Sequence, residues 1–192
     1  MFLTNKAGSL TDAAATRTAA LEQTYYNRNN HPEVIETTIW TGENIFEGTA
    51  AITESSGVLK TAIDEVIALV ASRGLGTVDN YMAYSQYYKQ SATEPNVHYD
   101  VPTGYEPEYI PDLIGIVYLH DVDGNIEFYK DFTSEYTDGN KASQFALDTS
   151  YILQNNMCII FDHSLPHRIA PAAFGTDKTD SGLMLAIFMK LQ

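Results

Sequence analysis

The segment "LIGIVYLHDVDGNIEFY" at residues 113–129 constrains the fold of this chain more than any other. An apolar run ends at a polar turn with an Asp-Gly step, and a second run follows in which apolar and polar residues alternate. Asp-Gly suits a tight hairpin turn, and alternation with period two suits a half-buried strand. The same punctuation recurs through the second half of the chain. "VDNYMAYSQYYK", from Val78 onward, alternates and is dense in tyrosine. Further strands are expected at 97–101, 113–120, 126–131, 150–154, 157–161, 167–170 and 183–191, with "YTDGN" as another turn. Many short strands joined by turns point to a sandwich or barrel.

The first part of the chain reads differently. A short helix is expected around Asp12 to Tyr26, with Thr11 as its N-cap. "SSGVLKTAIDEVIALVASRG" carries the strongest helical pattern, because Leu59, Ile63, Val66, Ile67 and Val70 recur at spacings of three and four. Ser55 or Ser56 is expected to cap its start, and Gly74 suits the left-handed position after its end. The chain therefore reads as one domain over 1–192, with a helical N-terminal part at 1–77 and a β core at 78–192. No internal repeat, low-complexity tract or linker interrupts it.

Composition limits the partners. The chain has 192 residues, 44% of them hydrophobic, enough for one substantial core. Its formal charge of -14 argues against nucleic acid or an anionic membrane as the main partner. The single cysteine, Cys158, permits no intramolecular disulfide and no cysteine-rich zinc site. No segment has an apolar run long enough for a signal peptide or a bilayer span, so a reducing cytoplasm is the expected compartment.

The candidate chemistry rests on histidine. Five are present, at 31, 98, 120, 163 and 167. In "NVHYDVPTGY", His98 and Asp100 fall on the same face of a strand while Tyr99 points away. One nitrogen and one carboxylate oxygen then occupy neighbouring positions on a metal. "CIIFDHSLPHRIAP" supplies a third ligand, His167, at the start of another strand. His163, four residues earlier, competes for that role, but Pro166 fixes the entry to the strand of His167. Two histidines and one carboxylate on one face of an octahedron leave three adjacent positions open, the arrangement that non-haem Fe(II) uses for oxygen chemistry.

Several features have plainer readings. "DVDGNIEF" begins like a calcium-binding loop, but Ile126 stands where that loop needs glycine and Phe132 where it needs glutamate, so it reads as a turn. Tyrosines 81 to 88 read as sheet packing, and His31 as a solvated loop residue. Asp162 is expected either to hydrogen-bond a ligand histidine or to cap a turn.

The succession "YSQYYKQ … NVHYD … LIGIVYLHDVDGNIEFY … NMCIIFDHSLPHRIAP … LMLAIFMK" resembles the Fe(II)/2-oxoglutarate-dependent oxygenases, in particular their small prolyl-hydroxylase-like and phage-type branch. The resemblance spans about Val78 to Lys190. It implies a double-stranded β-helix, a distorted jelly roll, which agrees with a mainly β chain carrying N-terminal helices. It also implies Fe(II) held by His98, Asp100 and His167, with 2-oxoglutarate and O2 as cosubstrates, and hydroxylation of a peptide or small molecule. The sequence departs from the family in two places. His120 stands where asparagine is usual. Ser181 or Gly182 stands where an arginine, sometimes a lysine, holds the distal carboxylate of 2-oxoglutarate. Arg168, Lys178 and Lys190 are the cations available elsewhere, although Arg168 should face away from His167. Tyr87, Tyr88 and Tyr118 are candidate phenol donors, with Tyr88, Tyr118 and Arg168 the expected cosubstrate contacts. Two other readings are a cupin-type dioxygenase that keeps the metal without 2-oxoglutarate, and a jelly-roll binding or structural module without catalysis.

Overall fold

The computed structural model describes residues 3–23, 25–27, 47–53, 55–88, 97–99, 110–120, 124–130, 132, 142–170 and 182–192, with the backbone alone at 3–5, 26–27, 47–51 and 88. In chain order the elements are β1 (Leu3–Ala7), α1 (Ala13–Leu21), β2 (Tyr26–Asn27), β3 (Glu47–Ala51), α2 (Val58–Ser72), β4 (Val78–Tyr88) and β5 (Leu113–Tyr118). They continue with β6 (Gly124–Lys130), β7 (Ala146–Leu153), β8 (Met157–Asp162), β9 (His167–Ala170) and β10 (Gly182–Leu191). The expected Asp-Gly turns fall largely outside the described residues.

The strands form two antiparallel sheets. The larger runs β1-β8-β5-β10-β4-β3-β2, and the smaller runs β7-β6-β9. His98 extends the smaller sheet through an isolated bridge to His167. Strands β8, β5, β10 and β4 thus lie over three strands and a bridged fourth segment. This is the four-over-four layering of a double-stranded β-helix.

Alternation along the central strands divides two cores. On β5, Leu113, Val117 and the following Leu119 join a core shared with α1 and α2, together with Leu183, Leu185, Ile187 and Met189 of β10. The intervening Ile114, Ile116 and Tyr118 face the smaller sheet and pack with Ile126, Phe128, Leu153, Ile159, Phe161, Ile169 and Met184. These strands are buried on both faces, which is why they read as nearly continuous apolar runs in the sequence. At Gly115 the side chains of α2 and β10 close in on the sheet. A Cβ there would stand 3.1 Å from a Val66 methyl and 3.2 Å from the Met189 terminal methyl.

The helices follow their sequence signals with small displacements. Leu59, Ala62, Ile63, Val66, Leu69 and Val70 form the buried stripe of α2. Its N-cap is Gly57, with φ of 99° and no side-chain cap, rather than Ser55 or Ser56. Gly74 takes the expected left-handed conformation, with φ of 68°. Asp12, not Thr11, caps α1, its Oδ1 accepting from the Ala15 N–H at 2.9 Å. Thr11 instead donates its backbone N–H to Glu65 Oε2 at 3.0 Å, tying α1 to α2. The first 77 residues also contribute β1, β2 and β3, all within the larger sheet. No helix among the described residues is long and apolar enough to cross a membrane.

Leu185 is fully buried between the helices and the larger sheet. Leu185→Ala is expected to lower the unfolding free energy by about 2–5 kcal/mol, through lost burial and the cavity left behind. Urea denaturation followed by far-UV circular dichroism measures this, with an unchanged slope as the mark of a purely native-state effect.

Candidate metal centre

The site begins with a turn. The Asp162 side-chain oxygen Oδ1 accepts hydrogen bonds from the Ser164 N–H at 2.9 Å and the Ser164 hydroxyl at 2.6 Å. The Leu165 N–H donates to the Asp162 carbonyl at 3.0 Å and closes the turn between β8 and β9. Of the two roles expected for Asp162, the structure shows the cap. Burial acts to raise the Asp162 pKa. The hydrogen bonds from Ser164 and the nearby His163 outweigh that effect and hold it below its ordinary value. His163 remains on this turn, with Nδ1 3.7 Å from Asp162 Oδ1.

The turn sets up His167. Its Nδ1 lies 2.9 Å from the Leu165 carbonyl oxygen. A carbonyl has no proton to give, so this bond places hydrogen on Nδ1 and the lone pair of the neutral ring on Nε2. Protein metal sites commonly orient a ligand imidazole in this way. The ring is buried and sits against two phenyl rings, 4.8 Å from Phe161 and 5.9 Å from Phe128 between centroids. Those residues belong to the core between the two sheets, so His167 faces the interior of the β-helix.

His98 meets it through the backbone. The His98 N–H donates to the His167 carbonyl and the His167 N–H donates to the His98 carbonyl, each at 2.9 Å. Residues paired in this way project side chains on the same face of a sheet. The imidazole centroids are 4.8 Å apart, with planes inclined at 50°. Tyr99 points the other way, its hydroxyl donating to the Phe132 carbonyl at 2.9 Å. The expected third ligand, Asp100, lies outside the described residues. Among those described, no group of three or more His, Cys, Asp or Glu residues is placed to hold a metal. The two imidazoles, one with its tautomer fixed, nevertheless form a donor pair that suits a divalent transition metal.

The expected cosubstrate residues fall in different places. Tyr118 is fully buried and faces the space between the sheets. Tyr88 ends β4, and its backbone is opposite Gly182. Arg168 lies on the outer face, opposite Glu127 in the register that pairs His167 with Phe128. Its Nε donates to Glu127 Oε2 at 2.7 Å, and the Tyr129 hydroxyl donates to the same oxygen. Burial, then the bond to Glu127, raises the Tyr129 pKa above its usual range. Lys190 lies at the far end of β10 from Gly182, donating to the Ile110 carbonyl at 3.1 Å. Ser181 and Lys178 lie outside the described residues. The Leu165 carbonyl was not foreseen as the partner of His167. No side-chain pattern could have signalled it, because any residue supplies that oxygen.

No protein-family model matches the sequence, and none of the curated proteins matches it. Solved structures do match. A prolyl-4-hydroxylase from Pseudomonas putida aligns over 99% of this chain and 92% of its own, with a TM-score of 0.56 and 13% identity. HygX from Streptomyces hygroscopicus, solved with nickel and 2-oxoglutarate bound, aligns over 99% of this chain and 83% of its own, with a TM-score of 0.59 and 8% identity. SnoN, a non-haem α-ketoglutarate-dependent epimerase of nogalamycin biosynthesis, aligns over 98% and 77%, with a TM-score of 0.60 and 13% identity. The chain has the double-stranded β-helix fold of the Fe(II)/2-oxoglutarate oxygenases. At this level of identity, the likeness concerns the fold, and chemistry has to be argued from the site.

The Asp162 turn gives a pH-dependent expectation. Because the folded-state pKa of Asp162 is lowered, its contribution to stability is present above the ordinary carboxylate range and disappears as pH falls through the lowered value. Asp162→Ala is expected to cost about 1 kcal/mol near neutrality through the lost hydrogen bonds, with the gap from wild type narrowing in acid. Denaturant midpoints of both proteins across pH measure it; a gap that widens in acid would contradict the assignment.

Proposed function

We propose that this chain is a non-haem Fe(II) oxygenase dependent on 2-oxoglutarate, with His98, Asp100 and His167 as metal ligands and a peptide or small molecule as the hydroxylated substrate. One observation carries the reading: the backbone bridge between His98 and His167 sets two imidazoles 4.8 Å apart at the interior face of this fold. Asp100 follows His98 at the strand spacing that returns a side chain to the same face, and it supplies the carboxylate in this proposal. When bound, Fe(II) with 2-oxoglutarate and O2 supplies the oxidising power for hydroxylation, with succinate and CO2 as co-products.

The residues of the chain have separate tasks. His167 holds its proton on Nδ1 against Leu165 and presents Nε2. Phe128 and Phe161 fix that ring and keep water from its sides. Tyr118, and Tyr88 at the end of β4, are proposed phenol donors toward the cosubstrate. Arg168, also expected there, gives its Nε to Glu127 on the outer face, which makes the two tyrosines the stronger assignments. The matched proteins include a prolyl-4-hydroxylase and HygX, the latter also solved with hygromycin B bound. Both substrate classes therefore stay within the proposal, as does a cytoplasmic location. A second reading, a metal dioxygenase without 2-oxoglutarate, is favoured by one observation: Gly182, at the start of β10, offers no side chain to a distal carboxylate.

Anaerobic Fe(II) addition to the apoprotein, followed by titration with 2-oxoglutarate, separates these readings. The proposal expects tight iron binding and a weak visible charge-transfer band that saturates with 2-oxoglutarate. Iron binding without the band supports the second reading, and a folded protein that takes up no iron rules out both. Asp100→Ala and His167→Ala are each expected to weaken iron binding by more than about 100-fold, beyond what loss of an outer partner costs, while the fold persists.

A further inference from the structure

Tyr129 is almost fully buried, yet it belongs to neither of the two main cores. It follows Phe128, whose ring stands against His167 on the inner face, so alternation turns Tyr129 to the outer face of the smaller sheet. There it shares a third, small core with Val97, Phe132 and Ala142, against which Tyr99 and Phe145 pack. Val97 and Tyr99 are the residues on either side of His98.

Backbone support is thin where the two histidines meet. β9 spans only His167–Ala170, and His98 joins it through an isolated bridge. One step before His167, the Tyr129 N–H donates to the Pro166 carbonyl at 2.9 Å. Pro166 has no N–H to return, so a single bond closes that step of the ladder. On the other side of β6, the register against β7 shifts between Phe128 and Tyr129, so β7 does not carry the alignment evenly past this point.

The side chain of Tyr129 adds what the ladder lacks there. Its hydroxyl donates to Glu127 Oε2, the oxygen that also accepts from Arg168 Nε at 2.7 Å. The guanidinium carbon of Arg168 lies 5.9 Å from the centre of the Tyr129 ring, within reach of a cation–π contact. Tyr129 therefore holds the residue before His167 by its N–H and the residue after it by its side chain. It also packs in one core with the neighbours of His98.

We propose that Tyr129 is a positioning residue for the metal pair, holding the segments of His98 and His167 at one spacing from the outer face of the sheet. This rests on the metal centre proposed above. Tyr129 touches no ligand of that centre with its ring; it acts through Arg168, Pro166 and the small core beside Val97. An imidazole pair held in place before the ion arrives binds it more tightly than a pair that has to be ordered on binding.

The test measures Ni(II) affinity by titration calorimetry and ligand geometry by the visible absorption of the Co(II)-loaded protein. Tyr129→Leu removes the ring and the hydroxyl; it is expected to weaken Ni(II) binding about tenfold or more and to shift the Co(II) bands. Tyr129→Phe keeps the ring and is expected to lose about threefold. Leu185→Ala, in the core beside the helices, is the control for general loosening and is expected to keep wild-type affinity and bands. A folded Tyr129→Leu protein with wild-type affinity and spectrum overturns the inference, and so does an equal loss in Leu185→Ala. Should Tyr129→Leu not fold, Tyr129→Phe decides, and wild-type values for it overturn the inference. Wild type that takes up neither ion overturns it together with the proposed metal centre.

Discussion

The candidate site depends on one pair of backbone hydrogen bonds, the reciprocal bridge between His98 and His167. Side chains alone do not bring two imidazoles together in an apolar interior, because each polar ring costs free energy to bury. The ladder does so here. β9 is held in the smaller sheet by β6, where His167 pairs with Phe128, and Phe128 in turn meets Phe161 across the interior at 5.1 Å. The larger sheet therefore fixes the position of β9, and β9 fixes the position of His98.

Period-two alternation then separates chemistry from scaffolding at each strand. His167 faces inward and Arg168 outward; Tyr118 faces the smaller sheet and Leu119 the helices. A slip of one residue would exchange these roles, so the register has to be pinned. Two devices pin β9. The Asp162 turn sets its start, and on the outer face the Arg168–Glu127 pair locks the same step of the ladder that aligns His167 with Phe128. On this view Arg168 serves the site by holding register, at a position from which its guanidinium reaches neither imidazole.

Much of this was legible in the sequence because burial on two faces leaves a strong signal. The apolar runs around Leu113, Met157 and Leu183 became β5, β8 and β10, and the α2 stripe was recovered almost residue for residue. β1 and β3 were not legible. "LTNKA" and "EGTAA" carry neither an apolar run nor clear alternation, and they acquire strand structure by pairing with β8 and β4. Tertiary pairing overrode weak local preference there. At the site, the His98 and His167 pairing could be anticipated from strand spacing and order. The Leu165 carbonyl could not, since it is a main-chain atom that any residue supplies.

Electrostatics explains why those short-range details matter. The chain carries a formal charge of -14 and the proposed cosubstrate is a dianion, so the overall field offers it no attraction. At physiological ionic strength that field is screened beyond about 8 Å, and a binding site needs local positive charge and donors. In the function proposed above, a divalent metal held by two neutral imidazoles and one carboxylate would keep a net positive charge beside the cosubstrate. The guanidinium of Arg168 is paired with Glu127 on the outer face. Among the described residues, the phenol of Tyr118 and the imidazole of His120 are both withdrawn from solvent. In that low-dielectric space a single well-placed hydrogen-bond donor counts for more than the same donor at the surface.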